Sequence, residues 1–316
     1  MKTLKIQALA KINLDLRVLH KRPDGFHELR TVFQTISLAD TIEIEYVKSS
    51  KTGLFIDQNV EIQDNLMLRA ARAVLDAAKT TAQVRFRLTK RIPMGAGLGG
   101  GSSDAAAVLL ALPVLIGKRA PVDEIAAELG SDVPFFLHGG TMLAIGRGTE
   151  LYPLPDIAQE PILLAIPGVH VATGPAYAAL GRGLTFTQSS IKINDFREFV
   201  RALSEQRRAT LACALSENDF EAVVFRQYPK LKTVARKLSK AGAEKATVRM
   251  TGSGSAIFGL FDSVASRERA RKVFGGDSIP ARLISRRAYQ RLWRRQLREH
   301  IAAGDDLWPP RNRYER

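Results

Sequence analysis

A glycine-rich segment at 93–104, Pro-Met-Gly-Ala-Gly-Leu-Gly-Gly-Gly-Ser-Ser-Asp, constrains this 316-residue chain more than any other feature of its sequence. Five of the seven residues from Gly95 to Gly101 are glycine. An alternating strand pattern precedes the segment at 84–88, and a helix pattern follows it from Ser102 to Leu115. Glycines leave backbone N–H groups accessible, and a helix N-terminus carries partial positive charge. The sequence therefore predicts a backbone cradle for a phosphate or another anion.

Two familiar nucleotide-binding patterns overlap this segment, and neither fits. Gly95–Gly100 satisfies G-x-G-x-x-G, but a dinucleotide-binding domain also needs an acidic residue at the end of a second strand about 20 residues further on. Asp123 lies near that distance, but the preceding Gly-Lys-Arg-Ala-Pro-Val cannot form a buried strand. The P-loop pattern fits Gly95–Ser102 except that Gly101 replaces the lysine. Bound phosphates would therefore depend on backbone amides, the helix dipole and a metal ion.

Composition narrows the class of protein. Hydrophobic residues make up 45% of the chain and charged residues 25%, which is typical of a globular protein. The single cysteine, Cys213, excludes a disulfide framework and a multi-cysteine zinc site. The N-terminus lacks the pattern of a secretion signal, and no apolar run is long enough to cross a membrane. We therefore expect a soluble cytoplasmic protein without a membrane partner.

The net charge of +15 is compatible with nucleic acid, an anionic membrane surface or phosphorylated small molecules as partners. One third of it lies at the C-terminus, because residues 286–316 contain nine arginines and four acidic residues, a net of +5. The sequence from Ala288 to Ala302 predicts a basic helix. We favour a helix that packs on the body with a solvated arginine face over a nucleic-acid-binding helix.

The order of predicted elements indicates an α+β fold rather than a doubly wound sheet. A strand at 41–47, a helix from Asp64 and a helix at 121–129 surround the glycine segment. The pattern restarts beyond Pro155, which suggests a domain boundary near that residue. The second part contains a short strand at 161–167, helices around 193–205, 208–215 and 229–241, and strands at 246–250 and 256–261.

The glycine segment, extended by Ala105–Ala107, resembles the ATP loop of the GHMP kinases. Further segments resemble the branch of that family that acts on 4-(cytidine 5′-diphospho)-2-C-methyl-D-erythritol. These segments are Ala10–Leu14, Arg22–Leu29, Ala127–Phe136, Pro167–Thr173, Glu217–Glu221 and Thr251–Ala256. Departures from the family pattern are small: Ala96 stands where glycine is common, and Phe26 where the aromatic residue is often tyrosine.

The resemblance implies a two-domain GHMP kinase fold. Residues 1–155 would form the N-terminal ATP-binding domain, which resembles a ribosomal-protein domain, and residues 156–285 a ferredoxin-like C-terminal domain. ATP and substrate would meet in the cleft between them. The basic tail at 286–316 lies outside the resemblance, so on this ground alone its deletion is expected to leave the activity largely intact.

The activity implied by the resemblance is transfer of the γ-phosphoryl group of ATP, with Mg²⁺, to the 2-hydroxyl of the cytidylated substrate, in the non-mevalonate route to isoprenoid precursors. The partner is then a small molecule and not nucleic acid, and the chain is a monomer or homodimer. Two alternatives are a GHMP kinase for homoserine or a mevalonate phosphate, and a nucleic-acid-binding protein. The kinases for homoserine or a mevalonate phosphate lack the segment Pro-Asp-Gly-Phe-His, which this chain has at 23–27. A nucleic-acid-binding protein has no need of a phosphate cradle.

The resemblance also implies roles for individual residues. Asp132 would accept the proton of the attacking hydroxyl, with Lys11 beside it to favour the ionised carboxylate. From the residues alone, Asp132 could equally cap a turn, and Lys11 could be a strand lysine with a solvated end. ATP would contact Pro93, Met94, Gly95, Ala96, Gly97, Leu98, Gly99, Gly100, Gly101, Ser102 and Ser103. The substrate would contact Asn13, Phe26, His27 and Tyr177.

Three residues at the start of the helix do not identify a ligand for Mg²⁺. Ser102 and Ser103 could cap the helix or offer a hydroxyl to Mg²⁺. Asp104 is more easily explained as a structural residue whose charge complements the helix dipole. The sequence therefore assigns no side chain as a metal ligand.

Overall fold

Two β-sheets with helices packed against them organise the chain in the computed structural model, which describes residues 1–181, 183, 196–202, 205, 216–243 and 247–301. The first part contains β1 (Lys2–Lys21), β2 (His27–Lys48), β3 (Gly53–Gln58), α1 (Leu66–Ala77), β4 (Ala82–Thr89), α2 (Gly100–Ile116), α3 (Val122–Leu129), α4 (Val133–His138), β5 (Thr141–Gly146) and β6 (Glu150–Pro153). The second part contains β7 (Pro161–Ala165), α5 (Thr173–Ala179), α6 (Phe220–Gln227), α7 (Pro229–Lys240), β8 (Arg249–Met250), β9 (Ile257–Leu260), α8 (Val264–Phe274), β10 (Ser278–Arg282) and α9 (Arg286–Leu297).

The long antiparallel pair of β1 and β2 is the frame of the first sheet. Near its start β2 also pairs with β5, and near its end with β4; β3 joins β4 in parallel and β6 joins β5. The register of β1 shifts between Leu9 and Lys11 and again between Asn13 and Asp15. Such irregularities change the direction in which side chains point. They flank Lys11 and Asn13, two of the residues expected at the site.

Helix α2 is the centre of the N-terminal core, with every residue from Ser103 to Leu115 buried. The sequence predicts its start at Ser102, but it begins at Gly100, with Gly99 in the left-handed region (φ 70°) at the N-cap. Ser102 and Ser103 therefore lie in the first turn, and neither caps the helix. A helix so apolar on all sides must be enclosed by other elements.

The second sheet is antiparallel, with strand order β10-β7-β9-β8. Helices α5, α6 and α7 lie between β7 and β8 in the chain, and α8 lies between β9 and β10. This βαββαβ arrangement is the ferredoxin-like topology, so that prediction is confirmed. Of the predicted helices, 193–205 overlaps a helical segment at 196–202, whereas 208–215 lies outside the described residues.

The C-terminal helix α9 packs into the core of the N-terminal domain. Tyr289, Trp293 and Leu297 are at most 2% exposed and belong to the same hydrophobic cluster as α1 and α2. The Tyr289 hydroxyl donates a hydrogen bond to the backbone oxygen of Phe136 in α4. The arginine side of the helix faces solvent, as the sequence predicts. The burial of its other side argues against the expectation that this segment can be deleted without effect. No helix among the described residues has the length and apolar character needed to span a membrane.

His138, at the end of α4, makes stability depend on pH. Burial lowers the pKa of His138 from 6.5 to about 4, and the charge of Arg286 adds to this shift. The imidazole is therefore neutral at neutral pH, and its 3.9 Å separation from Asp123 is not an ion pair there. Because the pKa is lower in the folded state, the unfolded chain takes up the proton first as the pH falls.

We expect the free energy of unfolding to decrease by about 3 kcal/mol through this group as the pH falls from about 6.5 to 4. Urea unfolding across this range should show the decrease in the wild type and a smaller one in His138→Gln. His170→Gln, at an exposed position, is the control. Equal pH profiles for the wild type and His138→Gln would contradict the assignment.

Candidate active site

A cavity of about 810 Å³ lies where the two halves of the molecule meet. Its wall is formed by β1, the start of β2 and the turn between them, the glycine loop at 95–99, the residues before α4, and the turn at 147–148. Helix α5, Phe220 of α6 and a second glycine-rich turn at 252–254 complete it. Lys11, Asn13, Phe26, His27, Asp132 and Tyr177, all expected at the site from sequence, line this one cavity.

The glycine loop is held on two sides by backbone hydrogen bonds. Lys11 N of β1 donates to Leu98 O (3.0 Å), and Ala256 N donates to Ala96 O (3.2 Å). Gly97 has a φ of 78°, and a Cβ there would lie 2.1 Å from Thr251 O. Glycine is therefore required at this position by the contact between the two turns, independently of any ligand.

Lys11 and Asp132 form the charged pair of the cavity. Lys11 Nζ lies 3.5 Å from Asp132 Oδ2, although the residues are far apart in the chain; the lysine side chain is 4% exposed and the aspartate side chain 34%. Asp132 occupies the N-cap position of α4 but makes no capping hydrogen bond with its side chain. The two alternative explanations from sequence, a capping aspartate and a lysine with a solvated end, therefore do not describe these residues.

Asn13 links the charged pair to the second turn. Its Oδ1 accepts hydrogen bonds from Lys11 Nζ (2.8 Å) and from Gly252 N (3.0 Å). Its Nδ2 donates to Thr31 Oγ1 (2.8 Å). The side chain thus orients Lys11 within the protein, in addition to lining the cavity where the resemblance implies a substrate contact.

Aromatic rings form the other end of the cavity. His27 stacks on Tyr177 with ring centroids 4.7 Å apart, and Tyr177 packs edge-on against Phe220. Burial, together with the charge of Asp132, raises the pKa of Tyr177 to about 12, so the phenol stays protonated at neutral pH. Burial and the positive charges nearby lower the pKa of His27. Both rings are therefore neutral at neutral pH.

Phe26 lies nearer to solvent, with 46% exposure, and the Arg147 guanidinium covers its ring at 3.5 Å from the centroid. Arg147 and Lys21 both line the cavity, and the sequence analysis assigned neither of them. No motif singled them out, because isolated basic residues are common throughout this chain. The two cations make this end of the cavity suitable for an anionic group.

Side chains at the start of α2 form hydrogen bonds and ion pairs with neighbouring elements. The Ser103 hydroxyl donates to Leu9 O of β1 (2.7 Å). Asp104 pairs with Lys90 (2.8 Å), which also pairs with Asp40. Burial raises the pKa of Asp104. Because α2 begins at Gly100, Asp104 lies beyond its first turn, so the predicted interaction with the helix dipole is wrong and the structural role of Asp104 is its ion pair with Lys90. Ser102, which is half-buried, has no such side-chain hydrogen bond among the described residues.

Comparisons with known proteins find relatives over nearly the whole chain. The models "GHMP kinases N terminal domain" and "GHMP kinases C terminal" match residues 65–140 and 188–275. A 4-diphosphocytidyl-2-C-methyl-D-erythritol kinase of Solibacter usitatus is 51% identical over 314 residues, which cover 98% of this chain and 97% of the relative. An enzyme of the same name from Geobacillus kaustophilus is 38% identical, over 86% of this chain and 92% of the relative.

Solved structures show the same relationship. A crystal structure of 4-(cytidine 5′-diphospho)-2C-methyl-D-erythritol kinase matches with a TM-score of 0.74 and 37% identity, over 88% of this chain and 98% of that chain. A homoserine kinase from Cytophaga hutchinsonii shares the fold at 19% identity, with a TM-score of 0.68 over 90% and 96% of the two chains. The chain belongs to the GHMP kinases, within the family of 4-diphosphocytidyl-2-C-methyl-D-erythritol kinases.

Proposed function

We propose that this chain transfers the γ-phosphoryl group of ATP to the 2-hydroxyl of 4-(cytidine 5′-diphospho)-2-C-methyl-D-erythritol, in the non-mevalonate route to isoprenoid precursors. The observation that carries the proposal is the pair of Lys11 and Asp132, 3.5 Å apart in a cavity that the glycine loop also lines. Phosphoryl transfer to an alcohol needs positioning, charge stabilisation and an acceptor for the hydroxyl proton. The pair and the loop are suited to these three tasks.

Asp132 is the proton acceptor in this mechanism. Its partly exposed carboxylate reaches the cavity, so a hydroxyl of a bound substrate can donate to it. Lys11 is held by Asn13 and Asp132, and its charge stabilises the negative charge that develops on the attacking oxygen and on the transferred group. Because Lys11 is almost fully buried, this interaction is screened little by water.

ATP would bind with its phosphates against the glycine loop, from Pro93 to Ser103. Mg²⁺ usually keeps several waters and binds through substrate phosphates with one or two protein oxygens. The described residues hold no cluster of three or more His, Cys, Asp or Glu side chains suited to a metal. An ion carried by the nucleotide would neutralise phosphate charge, and the Ser102 hydroxyl at the start of α2 would be its candidate protein ligand.

The cytidine diphosphate portion of the substrate would occupy the aromatic end of the cavity. Neutral His27 can pair with the polar edge of a base, while Phe26 and Tyr177 offer ring faces for stacking, which tolerates any base. Arg147 and Lys21 provide the positive charge for the diphosphate. Tyr177 stacks on His27 in this structure. A base can therefore lie between Phe26 and Tyr177 only if the rings of Tyr177 and His27 separate.

Phosphoryl transfer from radiolabelled ATP to four alcohols tests the proposal. We expect turnover with the cytidylated substrate and far less with homoserine, mevalonate phosphate or methylerythritol phosphate, which lacks the cytidyl group. Equal efficiency with methylerythritol phosphate would overturn the substrate assignment. A cytoplasmic location, a monomer or homodimer, and the lack of a nucleic-acid partner remain predictions; RNA binding measured at two salt concentrations tests the last of them.

Gly101→Val should weaken ATP binding about tenfold, the cost of losing a hydrogen bond to a charged group. A Cβ at Gly101 meets no atom within 4 Å, so the fold can accept it. At Gly99 and Gly100 a Cβ would lie 2.9 Å from Phe136 and from Ile92, so substitutions there disturb packing as well. Calorimetry with ATP measures the effect, with Gly276→Val, also in open space, as the control. Unchanged ATP affinity in Gly101→Val would place the phosphates elsewhere.

His27→Ala should lower kcat/KM for the cytidine substrate about tenfold, because the base edge loses its partner in a buried site. The advantage over the uridine analogue should narrow at the same time. Phe26→Ala, in contrast, should weaken both substrates alike, since stacking does not distinguish the bases. A His27→Ala enzyme that keeps its full preference for cytidine would show that another group reads the base.

A further inference from the structure

A second, smaller cleft lies between α9 and the strands β1 and β10, with a volume of about 290 Å³. It shares no lining residue with the active-site cavity. Three arginines line it: Arg282 of β10, and Arg291 and Arg295, one turn apart on α9. Part of the excess positive charge of the C-terminal segment therefore lies at this cleft. The catalytic function gives that charge no role.

Within the part of the chain that the structure describes, the three guanidinium groups have no acidic partner. No carboxylate is among the lining residues, and none of the three arginines forms an ion pair within the described ranges. Arginines elsewhere behave differently, since Arg267 and Arg271 share Glu268. Three uncompensated cations around one concave surface create a positive potential that attracts a compact anion. Planar guanidinium groups suit phosphate oxygens in particular.

The rest of the cleft adds polar groups above an apolar floor. Gln7, Ser37 and Gln159 stand at its rim, and the Ser37 hydroxyl accepts a hydrogen bond from Arg282 N (3.1 Å), which leaves its own proton to donate. Leu9 and Ile284, both buried, and the half-buried Leu292 form the floor. Such a combination fits a ligand with an anionic head and a short apolar portion.

The cleft is also rigid on its helical side. Trp293 and Tyr289 anchor α9 in the core, and Gln296 accepts a hydrogen bond from Gln7 N of β1 (2.8 Å). The arginines are therefore carried by a fixed helix face, which lowers the entropic cost of binding. A separate, preformed basic cleft is what a second ligand site requires.

We infer that this cleft is a second anion-binding site, which takes a small molecule with a diphosphate group, either free diphosphate or a diphosphate ester with a short apolar chain. The site is independent of the proposed kinase activity, because it stands on residues outside the active-site cavity.

Calorimetric titration of the full chain with inorganic pyrophosphate tests the site. The active site is first filled with a non-hydrolysable ATP analogue and the cytidylated substrate, so that pyrophosphate meets only other sites. We expect one equivalent to bind the wild type. The Arg291→Gln/Arg295→Gln variant should lose at least about tenfold in affinity, as for a lost hydrogen bond to a charged group. Arg282→Gln, on a different element, should weaken binding as well.

Arg294→Gln/Arg298→Gln is the matched control, because it removes the same charge from exposed positions of the same segment outside the cleft. It should stay within about twofold of the wild type. Tighter binding of hexyl diphosphate than of pyrophosphate would identify an ester as the ligand, and equal binding a free diphosphate. No binding by the filled wild type, or an equal loss in both double variants, would overturn the site. It would also be overturned if single-stranded RNA bound more tightly and both variants weakened it alike.

Discussion

Asp132→Asn should lower kcat by roughly 10²–10⁴, the usual effect of losing a general base, with little change in the affinity for ATP. The amide keeps the size of the carboxylate but cannot accept the hydroxyl proton. Because the Asp132 side chain makes no capping hydrogen bond, the substitution should leave α4 intact. Steady-state kinetics with the cytidylated substrate gives kcat, and calorimetry gives the affinity for ATP.

Glu128→Gln is the control for this prediction, since it removes one negative charge from an exposed position on α3 outside the cavity. It should retain the wild-type kcat. A folded Asp132→Asn enzyme with near-wild-type turnover would remove Asp132 from the mechanism. A loss confined to KM would instead assign it to substrate binding.

Trp293→Ala should decrease the free energy of unfolding by about 3–5 kcal/mol, the range for large aromatic residues in a core. Trp293 is 1% exposed, and its ring packs against Tyr289 within the N-terminal cluster. A chain that ends at Ser285 loses Tyr289 and Leu297 as well, and uncovers Gly139 and Gly140, which pack against Tyr289 and Arg286. We expect that truncated chain to be insoluble or inactive.

Urea unfolding, followed by circular dichroism, measures the effect of Trp293→Ala. Arg294→Ala changes the next residue, which is exposed, and should alter stability by no more than about 0.5 kcal/mol. If the truncated chain folds and keeps its activity, the burial of α9 has no bearing on the catalytic domain. That outcome would restore the expectation drawn from the extent of the resemblance.

The sequence by itself predicted the elements that depend on local pattern. The strand at 84–88, the glycine segment and the apolar helix after it could be predicted, because alternation, helical periodicity and glycine content are properties of neighbouring residues. The absence of the lysine at Gly101 excluded an ordinary P-loop in the same way. The order of the predicted elements indicated the α+β class, and the motifs around Lys11, His27 and Asp132 carried the family resemblance and with it the two-domain GHMP kinase fold.

Contacts between distant parts of the chain were decided only by the tertiary structure. Periodicity predicted that α9 has an apolar face, but not that Trp293 enters the N-terminal core. Nor could it show that Asn13 holds Lys11 and the second turn together, or that Ser103 is bound to β1. The pairing of Lys11 with Asp132 was implied by the family resemblance and not by any local pattern, because it depends on the path of β1 and on the placement of α4 beside it. Local sequence patterns do not encode these, because such positions result from how the sheets and helices pack.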